Sequence, residues 1–189
     1  MSPSGEVPSR GPYYVLTGER GSGKTLVCNE LAAEARARGL DVAGILTGSS
    51  GPELHAAREV VDLRSGASRV FGSESSPDGV STGSDPLTPG WQLDEDVFAW
   101  ATEVLSAATP CDLLIVDEVG PLELLGGRGW VRALDVLRAG HFHAALVVCR
   151  PNLLDKLESS LEVPPVALFQ VDPKQTDALP DLILAKMFG

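Results

Sequence analysis

A short glycine-rich loop near the start of the chain constrains its fold more than any other feature. The stretch Gly18–Thr25 reads GERGSGKT and fits the pattern G-x-x-x-x-G-K-[ST]. An apolar run, Tyr13–Leu16, precedes it, and apolar residues at helical spacing follow it. Glycines let successive backbone N–H groups turn toward an anion, and the following helix adds its positive N-terminal end. We therefore expect a phosphate-binding loop formed by Gly18, Glu19, Arg20, Gly21, Ser22, Gly23, Lys24 and Thr25.

The last two residues of the loop carry the chemistry that this pattern predicts. Lys24 is expected to reach the β- and γ-phosphates of a nucleotide, and Thr25 to offer its hydroxyl to Mg²⁺. The alternative interpretation is a glycine-rich turn that ends in Lys-Thr by chance. A phosphate cradle alone serves kinases, motors, switches and hydrolases, so it does not define the reaction.

Two carboxylates at the end of a second apolar strand narrow the range of reactions that the loop could serve. The stretch LLIVDE ends in Asp117 and Glu118. Because strand C-termini and helix N-termini meet at one edge of a parallel sheet, Asp117 should lie near Thr25 and help to hold the metal. Glu118 should face the γ-phosphate and orient or deprotonate a water molecule. A solvated strand end is the alternative.

The apolar pattern of the chain predicts an α/β fold. The runs Leu113–Val116 and Ala144–Cys149 show no alternation, which is typical of strands covered on both faces in a parallel sheet. Residues Arg58–Gly72, with Ser65 and Gly66 as the turn, predict a β-hairpin. An amphipathic helix should begin at Asp94 and end before Pro110. We expect a mostly parallel sheet with helices on both faces.

Length and composition are consistent with one domain. The chain has 189 residues, of which 43% are hydrophobic, and no apolar run approaches the roughly 20 residues of a transmembrane helix. We expect a disordered N-terminal tail over residues 1–12 and a single domain over 13–189. Residues 72–90, rich in Gly, Ser, Pro and Asp, are expected to form a flexible loop.

Charge and cysteine usage exclude some partners. The formal net charge is −11, and such an acidic surface repels nucleic acid and anionic membranes. Cys28, Cys111 and Cys149 form no CxxC pair, which favours a reducing compartment, and we expect a cytoplasmic protein. The histidines complete no zinc-ligand spacing with them.

Further features favour hydrolysis over phosphoryl transfer to an acceptor. The candidate lid at 72–90 has no Arg or Lys, and the chain lacks the Asn-Lys-x-Asp of guanine recognition.

Arg150 follows an apolar strand and is a candidate to stabilise transition-state charge; a surface arginine at a strand end is the alternative. Arg128, in a glycine-flanked loop, is a candidate phosphate or subunit contact or a plain loop charge. Trp91, Trp100 and Trp130 are interpreted as core or loop anchors, with base-stacking platforms as the alternative.

The stretch LLIVDEVGPLEL, Leu113–Leu124, resembles the signature of the small THEP-type nucleoside-triphosphatases, a family of P-loop proteins. GILTG followed by REVVDLRSG is similar to the family's β-meander, and VDPKQTDALPDLI to its closing segment. The resemblance implies a RecA-like core and slow hydrolysis of several nucleoside triphosphates to diphosphate and phosphate. It also implies a nucleotide site at Gly18–Thr25 and at the strand end through Gly120, with Glu118 as the water activator. Glu123 matches the family pattern, and its role is either functional or a cap on the next helix.

The sequence departs from the family at two places. An acid and an arginine usually lie close together after the second strand, whereas SSGPELHAAR stretches this segment, so Glu53 and Arg58 are not equated with them. The closing segment usually has Asn-Arg-Asp, and this chain has Gln175, Thr176 and Asp177. Two other functions stay open: a nucleotide-dependent switch for a partner protein in cofactor or metal-transport metabolism, and a small-molecule or nucleotide kinase. We expect a monomer or a weak oligomer.

Overall fold

One sheet with helices on both of its faces forms the described part of the molecule. The structure is a computed structural model, and it describes residues 10–49, 57–74, 86–172 and 176–189. The strands are β1 (Tyr13–Thr17), β2 (Val42–Ser49), β3 (Ala57–Asp62), β4 (Ser68–Glu74), β5 (Trp91–Leu93), β6 (Cys111–Val119), β7 (Phe142–Cys149) and β8 (Leu168–Gln170). The helices are α1 (Lys24–Ala37), α2 (Glu95–Ala107), α3 (Pro121–Leu124), α4 (Arg132–Ala139), α5 (Leu154–Leu161) and α6 (Leu179–Phe188).

The sheet has the strand order β5-β4-β3-β2-β6-β7-β1-β8 within the described ranges. From β2 to β8 all neighbours are parallel, and β6 and β7 are buried along almost their whole length. Their continuous apolar runs therefore serve two covered faces, as predicted. Strand β7 lies between β1, which leads into the glycine-rich loop, and β6, which carries the acid pair.

The other part of the sheet is an antiparallel meander. Strand β2 pairs with β3, β3 with β4, and β4 with β5. The predicted hairpin is confirmed, with Val60 opposite Arg69 and the turn at Gly66, whose φ is +76°. The short strand β5 extends the meander and is the outermost strand on this side.

The helices divide between the two faces of the sheet. Helices α2, α4 and α5 pack on one face, around Ala101, Leu137 and Leu157, and α1 and α6 pack on the other, around Leu31 and Ile183. Helix α2 begins where the sequence predicts, because the Asp94 side chain accepts hydrogen bonds from the backbone N–H groups of Asp96 and Val97.

The structure differs from the expected loop boundaries at two places. Arg10 donates hydrogen bonds to the carbonyls of Leu137 and Leu161, and the Gly11 N–H donates to Gly140 O at 2.9 Å. Residues 10–12 are thus attached to the body of the molecule, and residues 1–9 lie outside the described ranges. Residues 72–74 belong to β4, residues 75–85 lie outside the described ranges, and residues 86–90 lead into β5.

All three cysteines have free thiols. Burial raises the pKa of Cys111 and of Cys149 to about 12 and that of Cys28 well above its usual value, so these thiols stay protonated at neutral pH. Among the described residues, no helix has both the length and the apolar character needed to cross a membrane.

Candidate active site

The glycine-rich loop connects β1 to the first turn of α1. Gly21 and Gly23 have φ values of +78° and +98°, a region that residues with a side chain rarely adopt. Gly23 is the N-cap of α1, and its carbonyl accepts the Val27 N–H at 3.0 Å. The glycines therefore permit the turn that brings the chain from the strand directly into the helix.

Lys24 bends back over the loop that precedes it. Its Nζ donates to the carbonyl oxygens of Gly18 at 2.8 Å and of Glu19 at 2.7 Å. The ammonium group thus lies at the loop, beside the helix N-terminus, where both favour a bound anion.

Asp117 lies where the end of β6 meets the start of α1 and the end of β2. Thr25 Oγ1 donates to Asp117 Oδ2 at 2.9 Å, and the Thr47 N–H and Oγ1 lie 3.3 and 3.4 Å from the same oxygen. Asp117 is only 2% exposed. The predicted proximity of Thr25 and Asp117 is therefore present in the structure.

Burial raises the pKa of Asp117 to about 6. Desolvation is the main cause, and the neighbouring Glu118 charge acts in the same direction. The hydrogen bonds from Thr25 and Thr47, together with the Arg58 charge, lower the pKa and only partly offset the burial. The carboxylate is thus costly to ionise without a cation nearby.

The oxygen atoms around Asp117 fit a magnesium ion. Mg²⁺ in phosphate-binding sites is held by one or two protein oxygens, with the substrate phosphates and water as its other ligands. The Thr25 hydroxyl and the Asp117 carboxylate supply such a pair at 2.9 Å from each other. The described residues contain no group of three or more His, Cys, Asp or Glu side chains placed to hold a metal ion, so an all-protein metal cage is absent from them.

Glu118 has different surroundings from its neighbour. Its Oε1 accepts a hydrogen bond from Arg150 Nε, and the two side chains form an ion pair. The Glu118 side chain is 21% exposed and that of Arg150 is 43% exposed. Arg150 follows β7, between the two strands that lead to the loop and to the acids, so the predicted emergence at this edge of the sheet is observed.

A cavity of about 590 Å³ joins these groups. Of the residues predicted for the site, those that line it are Arg20, Gly21, Gly23, Lys24, Thr25, Asp117, Glu118, Gly120 and Arg150. The other three predicted residues do not line it: the Gly18 carbonyl binds Lys24, Glu19 is exposed, and Ser22 is buried in the loop. The volume is within the range of about 300–1,000 Å³ that is typical of small-molecule sites.

Of the lining residues that the sequence did not predict, Thr47 and Arg58 both act on Asp117. Thr47 contacts Asp117, and Arg58 lies at the start of β3, opposite Ser49 of β2. Both positions depend on the pairing of β2 with its two neighbouring strands. The apolar strand pattern around Thr47 indicates β2 but does not indicate which side chains of its end reach the cavity.

Glu123 acts as a cap. Its two carboxylate oxygens accept the backbone N–H groups of Gly120 and Trp130, both at 2.8 Å. Burial raises its pKa, and the side chain is 5% exposed. The capping interpretation is therefore the one that the geometry favours, and it fixes the turn that follows the acid pair.

The remaining candidates lie at the border of the site or outside it. Arg128 is exposed and does not line the cavity. Thr176 lies close to the loop, because a Cβ placed on Gly23 would lie 3.6 Å from its methyl group. Gln175 and Glu53 are outside the described residues. Trp130 is buried among Phe71 and Phe98, as expected of a core anchor.

Comparison with known proteins identifies the family. A family model described as NTPase matches residues 13–184. The nucleoside-triphosphatase THEP1 of Methanopyrus kandleri is 32% identical, with 90% of this chain and 92% of that protein covered. The structure of THEP1 from Aquifex aeolicus matches with a TM-score of 0.69 at 17% identity, over 94% of this chain and 99% of that one.

The solution structure of a human cancer-related nucleoside triphosphatase matches with a TM-score of 0.65 at 20% identity, over 94% of this chain and 97% of that one. Both solved structures support the α/β P-loop architecture predicted from the sequence. Taken with the family model and the relative from Methanopyrus kandleri, they show that this chain belongs to the THEP-type family of nucleoside-triphosphatases.

Proposed function

We propose that the protein hydrolyses nucleoside 5′-triphosphates to the diphosphate and phosphate with the help of Mg²⁺. The observation that carries this proposal is the convergence of Lys24 and Thr25 with Asp117 and Glu118 on one cavity at one edge of the sheet. Membership of the nucleoside-triphosphatase family supports it.

The loop supplies the phosphate site. Its backbone N–H groups and the N-terminus of α1 attract the phosphate oxygens. Lys24 exchanges its two carbonyl partners for β- and γ-phosphate oxygens, since an ammonium group favours an anionic acceptor over a neutral carbonyl. Arg20, exposed at the same side of the cavity, adds positive charge to its entrance.

Thr25 and Asp117 hold the magnesium ion in this proposal. When bound, Mg²⁺ supplies charge neutralisation at the phosphoryl oxygens. The Thr47 contacts orient the Asp117 carboxylate toward Thr25. The raised pKa of Asp117 supports the proposal, since a bound cation would offset the cost of ionising this buried carboxyl.

Glu118 and Arg150 act at the γ-phosphate. Glu118 accepts a proton from the water molecule whose oxygen attacks the γ-phosphorus, and the bond from that phosphorus to the β–γ bridging oxygen breaks. Arg150 holds the Glu118 carboxylate in place, and its remaining N–H groups provide positive charge for the transferred phosphoryl group.

The expected substrate range follows from which parts of the nucleotide the proposed contacts reach. All of them concern phosphates and the metal, so we expect hydrolysis of ATP, GTP and other triphosphates, with slow turnover as the family resemblance implies. We also propose that the chain from residue 13 onward is a single domain, that it acts in the cytoplasm, and that it is a monomer or a weak oligomer.

Glu118→Gln tests the proposal most directly. The variant should bind nucleotide as the parent does and lose at least about 100-fold in turnover, because an amide cannot accept the proton. Phosphate release with Mg²⁺ and each of ATP, GTP, CTP and UTP is the measurement, with nucleotide binding followed by calorimetry. Lys24→Ala should lose binding itself.

Glu103→Gln, on the exposed surface of α2, is the matched control and should behave as the parent. Undiminished turnover in Glu118→Gln would contradict the role of Glu118 as the base that accepts the proton. Absence of triphosphate binding by the parent protein would remove the whole proposal.

A further inference from the structure

The cavity extends well beyond the phosphate-binding loop and the acid pair. Its second part, here called the far lobe, is lined by Arg58, Phe71, Leu87, Trp91, Leu122 and Trp130. These residues come from the antiparallel meander and from the segment after β6, on the opposite side of the acids from β1. The far lobe is therefore continuous with the proposed hydrolysis site but formed by different elements.

The nucleotide does not occupy the far lobe under the proposed function, on which this inference rests. Hydrolysis requires the γ-phosphate to face Glu118, so the nucleoside lies at the other end of the triphosphate. The far lobe lies beyond the γ-phosphate, where the bound nucleotide leaves space for another molecule.

The far lobe contains a buried arginine nitrogen that has no hydrogen-bond partner among the described residues, although the Arg58 charge also acts on Asp117. Arg58 Nε is buried and has no hydrogen-bond partner in the ranges that the structure describes, and the hydroxyl of Thr88, which also lines the cavity, is likewise buried and unpaired there. Leaving such groups unsatisfied is costly, because each has lost its water without gaining a bond. An arginine in this state is suited to bind an anionic oxygen.

Beside Leu87 and Leu122, the other walls of the far lobe are three aromatic side chains, Phe71, Trp91 and Trp130. Trp130 lies edge-on to Phe71 with ring centroids 5.2 Å apart, and Phe98 supports it from the core at 4.7 Å. Trp91 packs close to Gly72, where an added Cβ would lie 3.3 Å from the indole ring. Aromatic walls of this kind favour a flat apolar ligand.

We propose that the far lobe binds a second small molecule, a planar aromatic compound with one anionic group, placed so that the anion meets Arg58. The aromatic body lies against Trp91 and Trp130. Because this ligand is adjacent to the γ-phosphate position, it shares the cavity with the nucleotide and does not compete for the loop.

Two fluorescent probes that differ by one anionic group test the proposal. The probes are 1-anilinonaphthalene-8-sulfonate and its neutral counterpart N-phenyl-1-naphthylamine, titrated into the full chain saturated with Mg²⁺ and a non-hydrolysable ATP analogue. The sulfonate should bind with one equivalent per chain and at least about tenfold more tightly than the neutral probe, as expected of a charge-assisted contact. Arg58→Gln should abolish this preference and leave the affinity for the neutral probe unchanged.

Arg69→Gln is the matched control, because Arg69 also belongs to the meander but stacks on Trp100 outside the cavity. It should keep the preference, and Arg58→Lys should keep part of it, with circular dichroism showing that each variant is folded. Equal affinity for both probes, or loss of preference in Arg69→Gln as well, would overturn the proposal, as would displacement of the sulfonate by the ATP analogue.

Failure of this inference is distinguishable from failure of the proposed function. Lys24→Ala, titrated without nucleotide, should retain the Arg58-dependent preference although it no longer binds or hydrolyses triphosphate. Normal Lys24-dependent hydrolysis with no preference between the probes would contradict the ligand site in the far lobe and leave the proposed function intact. A preference for the sulfonate probe without any triphosphate hydrolysis would contradict the proposed function and leave the ligand site in the far lobe intact.

Discussion

Asp117 and Glu118 are adjacent in the chain but have different environments. Asp117 is buried between two threonines, whereas Glu118 is partly exposed and paired with Arg150. The sequence predicts both acids at the end of a strand, because an apolar run stops there. It does not predict their separate environments, because Thr47 and Arg150 come from strands that are distant in the chain and adjacent in the sheet.

Asp117→Asn should change the pH dependence of stability in the protein without metal or nucleotide. The folded-state pKa of about 6 lies above the ordinary aspartate pKa of 3.8, so the folded state holds this proton more tightly than the unfolded state. The stability that Asp117 contributes is fully present below pH 3.8 and is lost as the pH rises through 6. The asparagine variant, always neutral, should be more stable than the parent by about 1–3 kcal/mol at pH 8.

Urea unfolding of both proteins from pH 4 to 8 measures this difference. It should be near zero at the acidic end and grow toward the basic end. A difference that is constant over the range would mean that the Asp117 carboxyl has an ordinary pKa in the folded protein.

Glu123→Ala should destabilise the protein by about 2–4 kcal/mol, because two backbone N–H groups, of Gly120 and Trp130, lose their acceptor in a buried place. Glu123→Gln keeps one carbonyl acceptor and should lose about half as much. Chemical denaturation measures both, with the exposed Glu103→Ala as the control. Equal stability of Glu123→Ala and the control would contradict the capping role.

At the scale of elements, the sequence predicts what local patterns determine. The apolar runs of β6 and β7, the hairpin of β3 and β4, and the Asp94 cap of α2 were all predicted, since each depends on neighbouring residues. Strand β5 and helix α3 were missed because they have only three and four residues, too few to show a period. Helix α6 begins at Leu179, and Pro180 is favourable in its first turn.

A substitution at Gly44, in the middle of β2, tests the close contact between β2 and β6. Its φ is +109°, and an added Cβ would overlap the carbonyl oxygen of Ile115 on β6. Gly44→Ala should therefore cost more than about 3 kcal/mol, through strain and steric overlap together. Gly39→Ala, with φ +82° and open space around the site, should cost only about 1–2 kcal/mol.

The free energies of unfolding of the two alanine variants, from urea titrations, provide the comparison. Equal losses would show that backbone strain alone determines the glycine preference at position 44. A larger loss at position 44 would support the close strand contact that holds β2 against β6.

At the scale of the whole molecule, the cavity carries several positive charges although the protein as a whole is acidic. The net charge is −11, whereas Arg20, Lys24, Arg58 and Arg150 all line the cavity. A small anion can thus bind locally, where nearby cations outweigh the acidic surroundings.

The same charge distribution predicts no appreciable binding of nucleic acid. A long polyanion cannot be confined to the cavity and meets the acidic surface. Gel-shift assays with single-stranded RNA and double-stranded DNA at low salt, with and without Mg²⁺ and nucleotide, should show no complex. A shift that depends on nucleotide would instead indicate a basic surface that the acidic net charge conceals.

The two ends of the sheet also bear on how copies of the protein associate. The outermost strands, β5 and β8, have three residues each. Two molecules that joined edge to edge would therefore form only a few backbone hydrogen bonds between them, and natural proteins avoid sheet-mediated aggregation in this way. A contact between copies at either of these two strands would therefore depend on surface side chains more than on the backbone of the sheet.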